Sequence, residues 1–206
     1  MFARSITIMG EPERLEAGIA YVRDEVMPTI TALDGCVGLS MLADAESGEC
    51  IVTSSWADAE AMRSSDVHLA PMRRRGGQIV GGMPKVEEWE VAIMRRDHTS
   101  AAGACCRVTW MRLGHSDIDR NLELYRSTFL PEIESLEGFC STSLMVDREH
   151  GRACSTTTYD SRSAMESSRE RAWAIRDAGV RDAGVDVIDT AEYNLVLAHL
   201  RLPELV

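Results

Sequence analysis

The chain has no uninterrupted apolar run approaching the roughly 18 residues that a membrane-spanning helix needs. Its N-terminus, Met-Phe-Ala-Arg-Ser-Ile-Thr-Ile, lacks the basic start and long apolar core of a secretory signal and reads as a strand. The expected location is the cytoplasm. Positive charge is also scarce. Lys and Arg number 22 against 33 Asp and Glu, a net charge of −11 whose mean field repels a phosphate backbone, so no nucleic-acid partner is expected. The one local exception, Arg73-Arg74-Arg75, reads as a solvated helix end, where cations suit the negative pole of the dipole.

Several chemistries lack their usual mounts. No Gly-x-Gly-x-x-Gly or phosphate-loop motif is present to cradle a nucleotide. No Gly-x-Ser-x-Gly elbow appears for a serine hydrolase. The six cysteines form no Cys-x-x-Cys pair and no zinc-type spacing with histidine, so neither a metal nor a disulfide is expected. They read as small buried side chains in a reducing compartment.

What is present is a repeat. At a shift of 103 positions Pro28 meets Pro131, Leu33 meets Leu136, Gly35 meets Gly138, Asp44 meets Asp147 and Gly48 meets Gly151. Hydrophobic periodicity repeats with it. Leu15, Ile19, Val22, Val26, Ile30 and Leu33 recur at steps of three and four, the buried stripe of an amphipathic helix. Ile118, Leu122, Tyr125, Phe129, Ile133 and Leu136 do the same in the second copy. Pro28 and Pro131 fall inside these patterns, so each helix is expected to kink or restart. Ser116 with Asp119 resembles a capping box.

Each copy then reads as strand, helix, hairpin, helix, strand. The hairpins bracket Ala45-Glu46-Ser47-Gly48 and Arg148-Glu149-His150-Gly151. The last strands are expected at Val86–Met94 and Ala191–Leu200. The polar stretch 96–104 separates a first domain, 1–95, from a second, 105–206. This order predicts an α+β fold of two tandem ferredoxin-like βαββαβ domains. Both helices of such a unit cover one sheet face and leave the other bare. The expectation is that the two antiparallel sheets pack face to face as an intrachain pseudo-dimer, with further homo-oligomerisation open.

The step from Pro28 to Gly35 (Pro131 to Gly138), the hairpin, and the strand end Ser55-Trp56-Ala57-Asp58-Ala59-Glu60-Ala61 resemble the antibiotic biosynthesis monooxygenase family of the dimeric α/β-barrel superfamily. The resemblance covers both copies. It implies a cleft between sheet and helices, a small apolar or aromatic ligand, and cofactor-independent oxidation of an aromatic or polyketide-like molecule. Two other readings are a non-catalytic ligand-binding or regulatory module and a haem-binding or haem-degrading member. The haem-degrading members use an Asn, a Trp and a His; Thr7 and Trp110 stand at the Asn position of the two copies, and neither copy holds the full set.

Residues that break the repeat are the natural candidates for specialised chemistry. His68, opposite Arg171, is nominated as the catalytic base. Trp56, Thr7, Trp110 and Trp173 are nominated as pocket-lining residues. Trp56 and its counterpart Tyr159 also suit packing of the second helix on the sheet. The pocket is expected in copy one, near Trp56 and His68, with no cofactor.

Overall fold

The computed structural model describes residues 1–113 and 118–200, with the side chain of Leu200 left aside. The suggested capping residue Ser116 lies outside the described residues. The first half runs β1 (Phe2–Met9), α1 (Leu15–Tyr21), α2 (Met27–Thr31), β2 (Cys36–Ala43), β3 (Glu49–Trp56), α3 (Ala59–Ser64), α4 (Asp66–Val80) and β4 (Lys85–Arg96). The second half repeats the order: β5 (Cys105–Arg112), α5 (Ile118–Leu124), α6 (Leu130–Glu134), β6 (Phe139–Asp147), β7 (Arg152–Tyr159), α7 (Arg162–Ser167), α8 (Arg169–Ala183) and β8 (Asp186–Leu200). In the first unit β3 pairs antiparallel with both β1 and β2, and in the second β7 pairs antiparallel with both β5 and β6.

The last strand of each half is longer than its hydrophobic pattern suggested, because polar residues such as Asp186 and Asp189 extend β8 at its start. Contacts divide the chain into two compact units within these long strands. One unit holds Met1–Trp89 together with β8 from Asn194 onward; the other holds Glu90–Tyr193. In the first, β2 pairs antiparallel with the end of β8, Leu39 opposite His199 and Ala43 opposite Asn194. In the second, the end of β4 pairs antiparallel with β6, Glu90 opposite Val146 and Arg96 opposite Ser141. The unit boundaries therefore fall inside β4 and β8, away from the polar stretch 96–104.

The proline positions explain the long helix of each half. Pro28 has no N–H, and its ring clashes with the carbonyl four residues back in a regular helix. Both conflicts are relieved by a π-helical turn, Val22–Val26, after which α2 restarts with Pro28 in its first turn. The second half does the same with Tyr125–Phe129 ahead of Leu130-Pro131. The apolar stripe then packs as its period requires. Leu15, Val22 and Ile30 are buried in one core with Leu39, Met41 and Met62. Leu122, Phe129, Ile133 and Leu136 are buried in the second half.

Helix α3 is capped by Asp58, whose carboxylate accepts from Ala61 N at 2.8 Å; Ser161 caps α7 by accepting from Ala164 N at 3.2 Å. Ahead of β2 and β6 the backbone turns left-handed at Gly35 (φ 75°) and Gly138 (φ 64°). A Cβ at either glycine would sit 2.5 Å from the Cβ of Ala61 or Ala164. Gly103 has φ 88° but nothing within 4 Å of a Cβ. Gly103→Ala should therefore lose about 1 kcal/mol from backbone strain alone. Gly138→Ala adds a clash and should lose about 2–4 kcal/mol. Urea unfolding with unchanged slope tests the ranking, and equal losses would show that the α7 contact is immaterial.

Candidate functional site

Each unit carries a cavity between its sheet and its helices, built from matching positions. Alternate residues of a strand share a face, so Arg107, Thr109 and Met111 of β5 and Ser155, Thr157 and Tyr159 of β7 look toward the helices of the second unit. Tyr125 and Phe129 of the π-helical turn and Ala172, Ile175 and Arg176 of α8 close the other side. The cavity volume is about 120 Å³. In the first unit Arg4, Ile6, Ile8, Val52 and Ser54 face Val22, Val26, Leu69 and Val80 around about 60 Å³.

The differences between the two linings explain both size and polarity. At the 103-residue shift, Leu69 is replaced by Ala172, Val80 by Ala183 and Cys50 by Ala153, each removing volume from the second unit. Ile6, Val22, Leu39 and Val52 correspond to Thr109, Tyr125, Thr142 and Ser155. Four apolar side chains thus become hydroxyls, and the hydroxyls find each other. Tyr125 OH lies 3.3 Å from Ser155 Oγ and 3.4 Å from Thr142 Oγ1, and Thr142 Oγ1 lies 3.2 Å from Thr157 Oγ1.

At the base of each cavity sits a buried arginine. Arg107 is 6% exposed. Its Nε and Nη2 donate to Glu192 Oε1 at 3.0 and 2.8 Å, Nη2 also donates to Met165 O at 2.9 Å, and Nη1 donates to Tyr159 OH at 3.2 Å. Its guanidinium carbon also stands 5.4 Å from the centroid of the Tyr159 ring. Arg4 repeats the arrangement with Glu88, donating from Nε at 3.1 Å and from Nη2 at 2.7 Å.

The charge around the two arginines differs. Arg4 has Asp66 at 3.4 Å, and Asp66 is paired with Arg73. The residue matching Asp66 is Arg169, which donates to the second oxygen of Glu192 at 2.9 Å. Two cations and two anions gather in the first unit, whereas two cations share one anion in the second. Arg176, at its rim, is paired with Asp177 at 2.9 Å and stacks on Trp173 with the guanidinium carbon 5.7 Å from the ring.

Among the described residues lining the larger cavity there is no histidine, cysteine or carboxylate. Burial pushes the Tyr125 phenol above its usual range, with the hydrogen bonds to Ser155 and Thr142 opposing. Burial also raises Tyr159, opposed by its bond with Ser168 and by Arg107. The cysteines are free thiols, and burial pushes Cys50 up to about 11 and Cys106 up to about 12, which leaves both unreactive as nucleophiles.

No family model matches the chain. The uncharacterized proteins Rv2557 and Rv2558 of Mycobacterium tuberculosis (strain H37Rv) are each 50% identical to it, over all of its length and over 92% and 88% of theirs. The chain belongs to their family. Among solved structures, a Fusobacterium nucleatum protein named as a candidate monooxygenase superposes with a TM-score of 0.72 at 13% identity, covering 97% of this chain and 94% of that one. An anthrone oxidase-like protein gives 0.67 at 14%, covering 97% and 93%. A Listeria monocytogenes ferredoxin-fold protein related to antibiotic biosynthesis monooxygenases gives 0.56 at 12%, covering 95% and 94%. The chain has the fold of these monooxygenase-like proteins, as the resemblance implied.

The residues nominated from the sequence are not brought together by either cavity. Trp56 is fully buried in the core of the first unit, its indole N–H donating to Ser54 Oγ at 3.1 Å. Thr7 and Trp110 lie on the strand faces opposite those that line the two cavities, because Ile6 and Ile8, or Thr109 and Met111, take the inward positions. His68 is exposed in an open groove with Asp34, Asp58 and Ser64. Trp173 is 44% exposed beside Arg176. Of the arginine triplet, Arg73 is paired with Asp66 and Arg75 with Glu25. The roomier and more polar cavity is that of the second half, where the sequence had pointed to the first.

The sequence reading missed Arg107 and Tyr125. Arg4 and Arg107 match at the repeat shift, as Glu88 and Glu192 do within one residue of it. A recurring arginine and a recurring glutamate on the first and last strands were the available signal.

Restoring the first unit's side chains with Ala172→Leu and Ala183→Val should fill the second cavity. Burying the added methylenes at about 0.8 kcal/mol each is expected to raise the thermal midpoint while abolishing binding of a ring-sized probe, measured by calorimetry. The raised phenols give a pH signature. They ionise at about pH 10 when unfolded and higher when folded, so their stabilisation holds below about pH 10 and is lost as pH climbs through the folded values. Tyr125→Phe should flatten the fall in unfolding free energy above about pH 10; an unchanged slope would show that this phenol is wet.

Proposed function

We propose that the second unit's cavity binds a small aromatic molecule carrying an acidic hydroxyl, and that the chain is a cofactor-independent monooxygenase acting on it. The observation that carries this reading is an apolar wall combined with a hydroxyl cluster and the guanidinium groups of Arg107 and Arg176 in one cavity of the second unit. A cavity of roughly 150 Å³ admits benzene, so the 120 Å³ present here suits a single ring better than a multi-ring polyketide skeleton.

The residues divide the work. Phe129, Ile133 and Ile175 supply the flat apolar contact. Tyr125, Ser155 and Thr157 orient a ring hydroxyl. Arg107, sharing Glu192 with Arg169, and Arg176 at the rim favour the ionised substrate, so the proton passes to solvent with no protein carboxylate in the lining. The substrate anion then supplies the electrons. Oxygen adds to the ring carbon, one oxygen atom remains there as a new carbonyl, and the other leaves as water with the two displaced hydrogens. The protein's share is desolvation and orientation. This lining offers iron only phenols and a thioether, with no imidazole, thiolate or carboxylate, which favours cofactor-free chemistry over a haem reading. On the same reading the two halves are copies of one unit, of which the second has kept room for a ligand and the first has narrowed its space by half.

The test is oxygen uptake with a panel of monocyclic dihydroxy-aromatics, product oxygen being traced with labelled O₂. Turnover reduced about 10- to 100-fold by Tyr125→Phe or Arg176→Ala is expected if they orient and ionise the substrate. Binding of the panel without oxygen uptake would instead make the chain a ligand-binding module. Failure of any ring-sized molecule to bind, or a Soret shift with haemin that survives both substitutions, would overturn the assignment.

A further inference from the structure

One group of metal-ligating side chains in the second unit takes no part in the cavity. His98, Cys140 and Asp160 present an imidazole nitrogen, a thiol sulfur and a carboxylate oxygen that all lie within 4.8 Å of one another. We propose that these three residues form a zinc-binding site.

The backbone holds the three positions together. Asp97 N and His98 N donate to Cys140 O at 2.9 and 3.5 Å, which fastens the segment after β4 onto the start of β6. Asp160 N donates to Gly138 O at 2.9 Å, which sets the end of β7 beside the same residues. Cys140 is fully buried, whereas His98 and Asp160 are exposed. One ligand is thus fixed and the other two are free to adjust.

The side-chain geometry fits a tetrahedral ion. His98 Nε2 lies 2.6 Å from Asp160 Oδ1, and Nδ1 of the same ring lies 2.8 Å from Asp97 Oδ2. Asp97 therefore orients the imidazole with Nε2 toward the site, as the outer carboxylate of a carboxylate–histidine–zinc arrangement does. Zinc at about 2.0–2.3 Å from each ligand needs ligand atoms about 3.3–3.7 Å apart. Inserting the ion parts His98 and Asp160 by roughly 1 Å and brings both toward the fixed Cys140 sulfur, small movements for exposed side chains. The ion displaces the thiol proton on binding. Three protein ligands leave a fourth position for water, the pattern of an open zinc site.

The repeat supplies an independent argument. Val37 stands opposite Cys140 and Ala57 opposite Asp160 at the 103-residue shift, and His98 lies in the connection between copies. None of the three residues is demanded by the plan the two halves share. A thiol, an imidazole and a carboxylate also form a mixed donor set that suits zinc better than magnesium or calcium.

The test uses the full chain, stripped with chelator and freed of any affinity tag, titrated with Co²⁺ as a spectroscopic probe and then with Zn²⁺. One equivalent is expected, with a thiolate-to-cobalt charge-transfer band that zinc abolishes. Cys140→Ser should remove that band, and the exposed-site change His98→Ala should remove binding while the circular dichroism spectrum is unchanged. Asp97→Asn should weaken zinc about 10- to 100-fold, the usual effect of losing an outer-sphere carboxylate. Absence of the thiolate band in the unaltered chain, or retention of one tight equivalent by His98→Ala, would overturn the proposal. Neither result bears on oxygen uptake, so it stands or falls apart from the function assigned to the cavity.

Discussion

A guanidinium cannot be buried unless its donors are satisfied, and this requirement organises the second unit. Arg107 stands on β5 with its charge met by Glu192 of β8, a further donor met by the carbonyl of Met165 on α7, and another by Tyr159 of β7. Removing one partner of such a buried pair commonly costs about 3–5 kcal/mol, because the other charge is stranded. Four elements are therefore held in register around one side chain. The same side chain forms the base of the cavity. Position of the sheet relative to α7 and the electrostatic character of the site consequently follow from a single residue.

The two cavities show what the fold needs and what it does not. In the first unit Leu69, Val80 and Cys50 narrow the space under the helices to about 60 Å³. In the second, alanines stand at all three matching positions. A void of 120 Å³ at about 24 cal/mol per Å³ costs on the order of 3 kcal/mol. Total stabilities are about 5–15 kcal/mol, so this is a substantial sacrifice, about twice that implied by the 60 Å³ of the first unit. The hydroxyls add to it, since each must be hydrogen-bonded to be tolerated in the interior. Tyr125, Thr142, Ser155 and Thr157 satisfy one another. Space and polarity therefore coincide in one unit.

Much of the architecture was legible because it is written in short-range patterns. The apolar stripe from Leu15 to Leu33 and the glycines at 35 and 138 each depend on neighbours in sequence, and the structure places them as the periods require. The π-helical turns refine the expected kinks, since Pro28 and Pro131 demanded relief without specifying its form. The strand ends were harder. β8 begins at Asp186, among polar residues whose pairing is decided by partners far along the chain. The candidate site was less legible still. His68, Trp110 and Trp173 stand out in sequence because their counterparts differ in kind, whereas the cavity lining comes from matched positions with altered side chains. Trp110 is conspicuous in sequence, but the period of two along β5 turns it away from the face that Thr109 and Met111 share.

The His98, Cys140 and Asp160 group shows the same limit from another side. Zinc motifs are recognised in sequence when ligands fall in local pairs, which lets a short turn pre-form half of the site. Here 42 residues separate His98 from Cys140 and 62 separate it from Asp160. No local rule joins them. What joins them is the return of the chain after β4 along the first residues of β6, with Cys140 O receiving the amides of Asp97 and His98. The connection between the halves is thereby anchored at a point where sequence composition alone suggested only a linker. A histidine placed there by backbone hydrogen bonds is oriented before any ligand arrives, and orientation in advance is what separates a ligand set from an accidental cluster of polar side chains.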